Sequence, residues 1–167
     1  MGVDRDAGFR EFVLERGPAL SRIAYLLTGD HQLAEDLVQT ALTRAALRWP
    51  RLVAGGDPEP YIRRIMVNER TSWWRRRRQE LLGHAAVELD TAGPDEAERV
   101  TRRVALLEAL TRLAPRQRAV IVLRYFADMS VEETAGALGC SVGTVKSTTS
   151  DALARLRDVA ADLGKVF

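Results

Sequence analysis

The sequence is poor in the residues on which disulfides, metal sites and membrane spans depend. It has one cysteine, Cys140, and two histidines, His31 and His84, which lie far apart in the chain. One cysteine excludes an intrachain disulfide, and we find neither zinc-ligand spacing nor a phosphate-binding loop. The longest wholly apolar runs, 23–27 and 119–123, are far shorter than the ~20 residues of a membrane span. The sequence therefore predicts no enzymatic activity, no cofactor, no metal and no membrane insertion.

A secretion signal is also missing from the beginning of the chain. Asp4 and Asp6 make the first residues acidic, and no apolar signal core follows them. Together with the single cysteine, this predicts a reduced protein that is located in the cytoplasm.

A strong excess of one charge sign is absent from the chain as a whole but present in one part. The 25 Lys and Arg residues nearly balance the 23 Asp and Glu residues. Residues 61–78, however, carry seven basic side chains and one acidic side chain, whereas residues 79–103 carry three basic and six acidic ones. Such a basic block is typical of a surface that binds a polyanion or an anionic membrane.

Alternating strand patterns are missing too, and the apolar residues recur at the spacings of a helix. The first helical stretch extends from Phe9 to Leu27, and Gly17-Pro18 is expected to split it into two helices. The next helix is expected to end near Trp49-Pro50. A third helix covers 62–66, and a fourth begins near Asn68. The fold class predicted from this pattern is all-α.

The helical pattern is interrupted between two helical regions. Residues 79–103 lose the periodicity and include Gly83 and the turn signal of Gly93-Pro94, after which apolar spacing returns at Val104. We therefore predict two small helical domains, an N-terminal bundle over 1–82 and a C-terminal domain over 104–167. An acidic linker, 83–103, joins them, with the alternative that a helix already begins at Glu96.

The clearest motif lies in the C-terminal domain. Ser130 and Glu133 have the spacing of a capping box, Gly139 suits a tight turn, and Ser141 can cap the helix that follows. This pattern predicts a helix-turn-helix whose second helix enters the DNA major groove. The alternative is a plain pair of helices with one polar face. The predicted DNA-facing side chains are Thr144, Lys146, Ser147, Thr148, Asp151 and Arg155.

A second motif occupies the basic block. Trp73 and Trp74 lie beside a run of arginines, so the indole rings could stack on unpaired bases while guanidinium groups hold phosphates. The alternative is that one tryptophan belongs to the core and that the arginines form a solvated face.

These motifs resemble those of bacterial RNA polymerase sigma factors of the sigma-70 family. The chain is most similar to the two-domain extracytoplasmic-function (ECF) type, close to its sigma-E-type subgroup. The resemblance covers roughly residues 8–160. Four stretches of the sequence match the family's motifs in the same order. They are 25–30 with 34–39, then 61–68, then 73–78, and finally 113–118 through 143–147.

The resemblance implies a role for each matching residue. It implies that Glu35, Asp36, Leu37, Val38, Gln39 and Leu42 dock on the clamp helices of the polymerase β′ subunit. The alternative for Leu37 and Val38 is that they belong to the core. The residues that the resemblance implies for melting and reading the promoter −10 element are Asn68, Arg70, Thr71, Trp73, Trp74, Arg75, Arg76, Arg77 and Arg78. The DNA-facing side chains of the helix-turn-helix would read the −35 element. Arg116, Arg118 and Arg124 are lesser candidates for backbone contact, and Leu123, Phe126 and their neighbours are candidates for contact with the β flap.

The resemblance also implies partners and one point of difference. The partners are core RNA polymerase, promoter DNA and, as a further candidate, an anti-sigma factor. Many relatives carry arginine around position 148 or 151, where this chain has Thr148 and Asp151, so its −35 preference stays open. The other function class is a stand-alone helix-turn-helix regulator that binds duplex DNA without polymerase.

Overall fold

The computed structural model describes the backbone of residues 3–77 and 94–163, and the side chains of residues 8–72 and 100–162. Both ranges are helical, which confirms the all-α fold class. The N-terminal half contains α1 (Val3–Thr28), α2 (His31–Ala54) and α3 (Glu59–Arg77). The C-terminal half contains α4 (Pro94–Thr111), α5 (Pro115–Tyr125), α6 (Val131–Leu138) and α7 (Val142–Leu163). None of the described helices combines the length and hydropathy of a membrane span.

Gly29 and Asp30 form the turn between α1 and α2. Gly29 adopts a φ of +74°, a left-handed conformation that glycine reaches without strain. Asp30 then caps α2, because its Oδ1 accepts a hydrogen bond from the Leu33 amide at 2.8 Å. This turn reverses the chain, so α1 and α2 pack side by side.

Three expected helix breaks do not occur. Helix α1 continues through Pro18, and α2 continues through Pro50 to Ala54. Each proline lacks the backbone N–H that would bond the carbonyl four residues earlier. That carbonyl belongs to Leu14 for Pro18 and to Ala46 for Pro50. Both of those residues are exposed, so water can bond the carbonyl that has lost its partner.

The third expected break lay between a helix at 62–66 and a second helix that was expected to begin near Asn68. Helix α3 instead runs unbroken from Glu59 to Arg77. Its middle contains neither glycine nor proline. Burial of Ile65, Met66 and Val67 in the core holds the chain helical there.

Side-chain caps define the helix-turn-helix as the sequence predicted. Ser130 Oγ accepts from the Glu133 amide at 3.0 Å, and Glu133 Oε2 accepts from the Ser130 amide at 2.7 Å. Gly139 ends α6 with a φ of +61°, and Ser141 Oγ accepts from the Thr144 amide at 3.1 Å. Ala135 and Val145 are buried between α6 and α7, together with Val120 of α5.

The two halves pack on one continuous apolar core. Leu20, Leu27 and Ile62 belong to the same buried cluster as Leu110 and Leu123. Helix α1 contacts α5, and α3 contacts both α5 and α6. Helix α4 begins at Pro94, so the last ten residues of the expected linker, 94–103, are helical rather than part of a connection. The rest of that linker, 83–93, lies outside the described residues.

Candidate nucleic-acid and polymerase interface

The outer face of α7 presents the side chains that were predicted to face DNA. Lys146, Ser147, Asp151 and Arg155 are exposed, and Thr144 and Thr148 are partly exposed. Val145 and Ala152 on the opposite face are completely buried. Since α6 and its cap hold α7 from behind, the polar face is free along its length. It has the donors and acceptors that phosphate and base-edge contacts require.

Asp151 does not form the ion pair with Arg155 that its position on α7 would allow. It lies four residues before Arg155, a spacing at which opposite charges commonly pair. Within residues 100–162, whose side chains are described, no ion pair joins these two groups. The carboxylate of Asp151 is therefore an exposed acceptor on a face that is otherwise hydroxylated and basic.

The three arginines that were lesser candidates for contact with the DNA backbone lie in different environments. Arg116 is exposed, whereas Arg124 is partly buried and donates to the Met129 carbonyl at 2.5 Å. Arg118 is only 5% exposed, and its Nε donates to the Leu26 carbonyl of α1 at 2.6 Å. Burial lowers the pKa of Arg118 to about 10, while nearby Tyr25 raises it, so the group stays charged at neutral pH. In this packing Arg118 cannot reach DNA.

Helix α3 carries the residues predicted for the −10 element. Asn68 and Thr71 are exposed, and the Thr71 hydroxyl donates to the Val67 carbonyl at 2.9 Å. Arg70 is partly buried, and its Nε donates to the Leu27 carbonyl of α1 at 2.9 Å. The side chains of Trp73, Trp74, Arg75, Arg76 and Arg77 lie outside the described residues, as does the whole of Arg78. The backbone from 73 to 77 continues α3, so those five residues extend the helix that bears Asn68.

Helix α2 divides the predicted polymerase-binding residues between its two faces. Glu35, Asp36 and Gln39 are exposed, and Leu42 is partly buried. The exposed face borders a shallow groove lined by Asp36, Gln39, Thr40, Thr43 and Arg44.

Leu37 and Val38 require a correction. They are 0% and 9% exposed because α2 turns this side towards the core beneath α1 and α3. Their side chains pack beneath the exposed surface of α2 and are not part of that surface.

The residues expected at the β flap also differ in their exposure. Leu123 is completely buried, whereas Phe126 is 39% exposed. The neighbouring Tyr125, which sequence analysis did not single out, is 51% exposed. Its position beside Phe126, at the last turn of α5, was the signal that could have identified it. Elsewhere, within the described ranges, histidine, cysteine and carboxylate side chains form no group suited to a metal ion.

Sequence reasoning missed the contacts that join the two halves. Arg63 of α3 donates from Nη1 to the Ala127 carbonyl at 2.6 Å, and it pairs with the buried carboxylate of Glu59. The second oxygen of Glu59 lies 3.6 Å from Arg16. Nothing in the local sequence distinguishes Arg63 from Arg64, because the difference depends on which residue faces the other half.

Two family models match the chain, one for each half. The model of sigma-70 region 2 matches residues 12–80, and the model of sigma-70 region 4 matches residues 103–156. The first includes α2 and α3 with their exposed polar residues, and the second includes the helix-turn-helix.

Individual relatives agree with these matches. The RNA polymerase sigma-E factor of Streptomyces coelicolor is 47% identical over 158 residues, which cover 93% of this chain and 88% of the relative. The ECF sigma factor SigL of Mycobacterium tuberculosis is 32% identical, over 90% of this chain and 87% of its own length. Among solved structures, the sigma factor RpoE of Bartonella quintana, in complex with the anti-sigma factor NepR, has a TM-score of 0.75 and 28% identity. That match covers 92% of this chain and 97% of RpoE. The chain therefore belongs to the sigma-70 family of RNA polymerase sigma factors, in its extracytoplasmic-function group.

Proposed function

We propose that this chain binds core RNA polymerase through α2 and directs it to a subset of promoters, whose two elements are contacted by α3 and α7. The observation that carries this proposal is the presence of both sigma regions in one chain. A stand-alone regulator would need the helix-turn-helix alone, whereas a second module is needed to bind polymerase and open DNA. The chain performs no catalysis itself and acts where polymerase acts, in the cytoplasm.

The polymerase contact is proposed for the exposed side of α2. Asp36 and Gln39 line the shallow groove, Glu35 is a further exposed acidic group on the same helix, and Leu42 adds a partly buried apolar contact. An amphipathic helix of this kind suits a helix-in-groove interface with the clamp helices of β′. Phe126 and Tyr125 are the proposed apolar contacts for the β flap, since both are exposed at the end of α5.

The −10 element is assigned to α3 and its continuation. Asn68 and Thr71 supply exposed polar groups, and Trp73 and Trp74 follow one turn later on the same helix. Aromatic rings stack on unpaired bases irrespective of sequence, while arginines bind the adjacent phosphates. These are the groups required to trap a base that has left the duplex. The guanidinium groups assigned to those phosphates are Arg75, Arg76, Arg77 and Arg78.

The −35 element is assigned to the exposed face of α7. Thr144, Lys146, Ser147 and Thr148 lie in its first two turns, where a recognition helix meets base edges. Asp151 and Arg155 follow further along the same face. An anti-sigma factor is a further proposed partner, supported by the similarity to RpoE, which was solved with such a factor bound.

Run-off transcription with core polymerase tests this function. Linear fragments of a genomic library serve as templates, and core polymerase without the chain is the control. We expect discrete transcripts only when the chain is present. If the chain instead retained specific fragments without polymerase and yielded no transcripts with it, the stand-alone regulator would be the correct function.

A further inference from the structure

The exposed side of α2 continues beyond the residues assigned to polymerase so far. Asp36, Thr40, Thr43 and Leu47 follow one another at spacings of four, three and four, so they form one stripe along the helix. The first three line the shallow groove. Leu47 is 79% exposed, more than any other large apolar side chain in the described ranges. At 1.5 Å per residue, the stripe from Asp36 to Leu47 is about 17 Å long.

The groove in this stripe carries one charge of each sign. The negative charge is the carboxylate of Asp36, and the positive charge is the guanidinium of Arg44, which lines the same groove eight residues later. Eight residues correspond to about 12 Å along the helix axis. The groove residues between them, Gln39, Thr40 and Thr43, are uncharged. A partner that covers the groove therefore meets a negative end and a positive end, which favour the opposite charges on its own surface.

Glu69 of α3 holds the Arg44 side chain in this position. Nη1 of Arg44 lies 2.7 Å from Oε1 of Glu69, whose side chain is only 17% exposed. The side chain of Arg44 is 52% exposed, so donors of its guanidinium remain open to a second acceptor outside the chain. An arginine that an ion pair already restricts loses less rotamer freedom when a partner binds.

The location of Glu69 in the sequence is unfavourable for a helix that binds DNA. It is the one acidic residue in the block 61–78, which carries seven basic residues. A carboxylate there lowers the positive charge that attracts phosphates. The ion pair with Arg44 places this carboxylate on the side of α3 that meets α2, whereas Asn68 and Thr71 are exposed on other sides of the helix. The geometry therefore relates Glu69 to the α2 surface and not to a DNA contact.

We propose that Arg44 is a second charged contact on the polymerase-binding surface and that Glu69 is its positioning residue. The occupant of the stripe is an α-helix of core polymerase, with a basic side chain opposite Asp36 and an acidic side chain opposite Arg44. Leu47 contacts an apolar side chain of the same helix, beyond the acidic one. Because the two charges differ in sign, they favour one direction of the partner helix and disfavour the other. This inference rests on the proposed function, since it names further contacts of the same interface.

Native gel-shift competition for core polymerase, with the full chain, tests the charge of Arg44. We expect Arg44→Met to bind core polymerase about three- to tenfold more weakly, and Arg44→Lys, which keeps the charge, to recover most of that loss. The reversed charge is introduced as Arg44→Glu together with Glu69→Gln, so that two carboxylates do not meet inside the chain. This double variant should lose more than about tenfold in affinity, because the acidic side chain of the partner then repels it.

A double-mutant cycle tests the positioning role of Glu69. Glu69→Gln should weaken binding by about two- to threefold in the chain that has Arg44, and it should have no effect in the Arg44→Met chain. That second result also shows that the loss in Arg44→Met does not come from an unpaired carboxylate. As a further readout, the affinity of Arg44→Met should depend less steeply on salt than that of the wild-type chain, which a loss of packing alone would not produce. Circular dichroism establishes that the helices of each variant are intact.

Arg112→Met and Glu108→Gln are the matched controls, because these two residues form an ion pair of 2.9 Å in the other half of the chain. Both variants should bind core polymerase as the wild-type chain does. Equal affinities of Arg44→Met and Arg112→Met would remove Arg44 from the interface.

Two further results would overturn parts of the proposal. An equal effect of Glu69→Gln with and without Arg44 would show that Glu69 does not act through Arg44. Equal affinities of Arg44→Met and the charge-reversed chain would show that no acidic side chain lies opposite Arg44. In each of these cases the wild-type chain still binds core polymerase and yields transcripts, whereas a wild-type chain that bound no core polymerase would refute the proposed function itself.

Discussion

At the scale of single residues, Asp151 is the side chain that the fold explains least. It is an exposed carboxylate on the side of α7 that is proposed to face DNA, and no ion pair to Arg155 stabilises it among the described side chains. Phosphates repel a carboxylate, so on a face that contacts DNA we expect Asp151 to contact a base or to reject wrong sequences. A carboxylate accepts hydrogen bonds from cytosine N4 and from few other base edges.

Asp151→Ala should therefore relax promoter choice. We expect higher transcription from unrelated promoters and a lower ratio of cognate to non-cognate transcripts, by about 1–3 kcal/mol of discrimination at one base pair. The measurement is run-off transcription over a set of −35 variants. Asp158→Ala is the control, because Asp158 is an exposed carboxylate two helical turns further along α7. An unchanged ratio in Asp151→Ala would show that Asp151 reads no base.

Asp36 is the residue that best tests the polymerase surface. It is exposed beside the shallow groove of α2, and its Oδ1 accepts a weak hydrogen bond from Gln32 at 3.5 Å. Asp36→Arg should reduce the affinity for core polymerase by about tenfold or more, because a reversed charge at a rim adds repulsion to the lost attraction. Helical content should stay unchanged.

Native gel-shift competition for core polymerase measures this effect. Glu11→Arg, which reverses an exposed charge on α1, is the control and should assemble normally. Equal competition by Asp36→Arg and the wild-type chain would remove Asp36 from the proposed interface.

At the scale of elements, the stability of the helix-turn-helix depends on its caps because α6 is only eight residues long. So short a helix has little intrinsic stability in water. The reciprocal hydrogen bonds of Ser130 and Glu133 satisfy amide groups that the helix itself cannot.

Ser130→Ala should lower the free energy of unfolding by about 1 kcal/mol, since it removes the acceptor for the Glu133 amide. Urea denaturation followed by circular dichroism measures the change. Ser150→Ala, at an exposed position within α7, is the control and should change stability by less than about 0.5 kcal/mol. A Ser130→Ala chain as stable as the wild type would mean that packing alone positions α6.

At the scale of the whole molecule, the packing of the two halves gives a physical reason for weak binding by the free chain. We expect the free chain to separate its halves before α3 and α7 contact both promoter elements. We expect the free chain to bind duplex promoter DNA at least about a hundredfold more weakly than the holoenzyme does, because opening and the loss of bivalency both reduce affinity.

Fluorescence anisotropy with a labelled promoter duplex, at one fixed salt concentration, compares the two affinities directly. A duplex with both elements scrambled is the control. Tight and sequence-specific binding by the free chain would contradict this expectation and favour a regulator that acts without polymerase.

The sequence by itself determined the helical fold, the family and the helix-turn-helix. The helical fold and the helix-turn-helix depend on local chemistry, because caps such as Ser130 and turns such as Gly139 involve residues that are neighbours in the chain. The family followed from the resemblance of four motifs in their order. The exposed face of α7 also followed from periodicity, since three and four residue spacings place side chains on one side of a helix.

Only the tertiary structure decided how long α1 and α3 are and how the halves meet. Pro18 remains inside a helix because the carbonyl that it deprives of a donor belongs to an exposed residue, which the local sequence does not reveal. Leu37 was assigned to the polymerase-binding residues with the core as the alternative, and it lies in the core, where α1 and α3 pack on α2. Arg118 bonds a carbonyl 92 positions away, and no pattern of neighbouring residues encodes a contact over that separation.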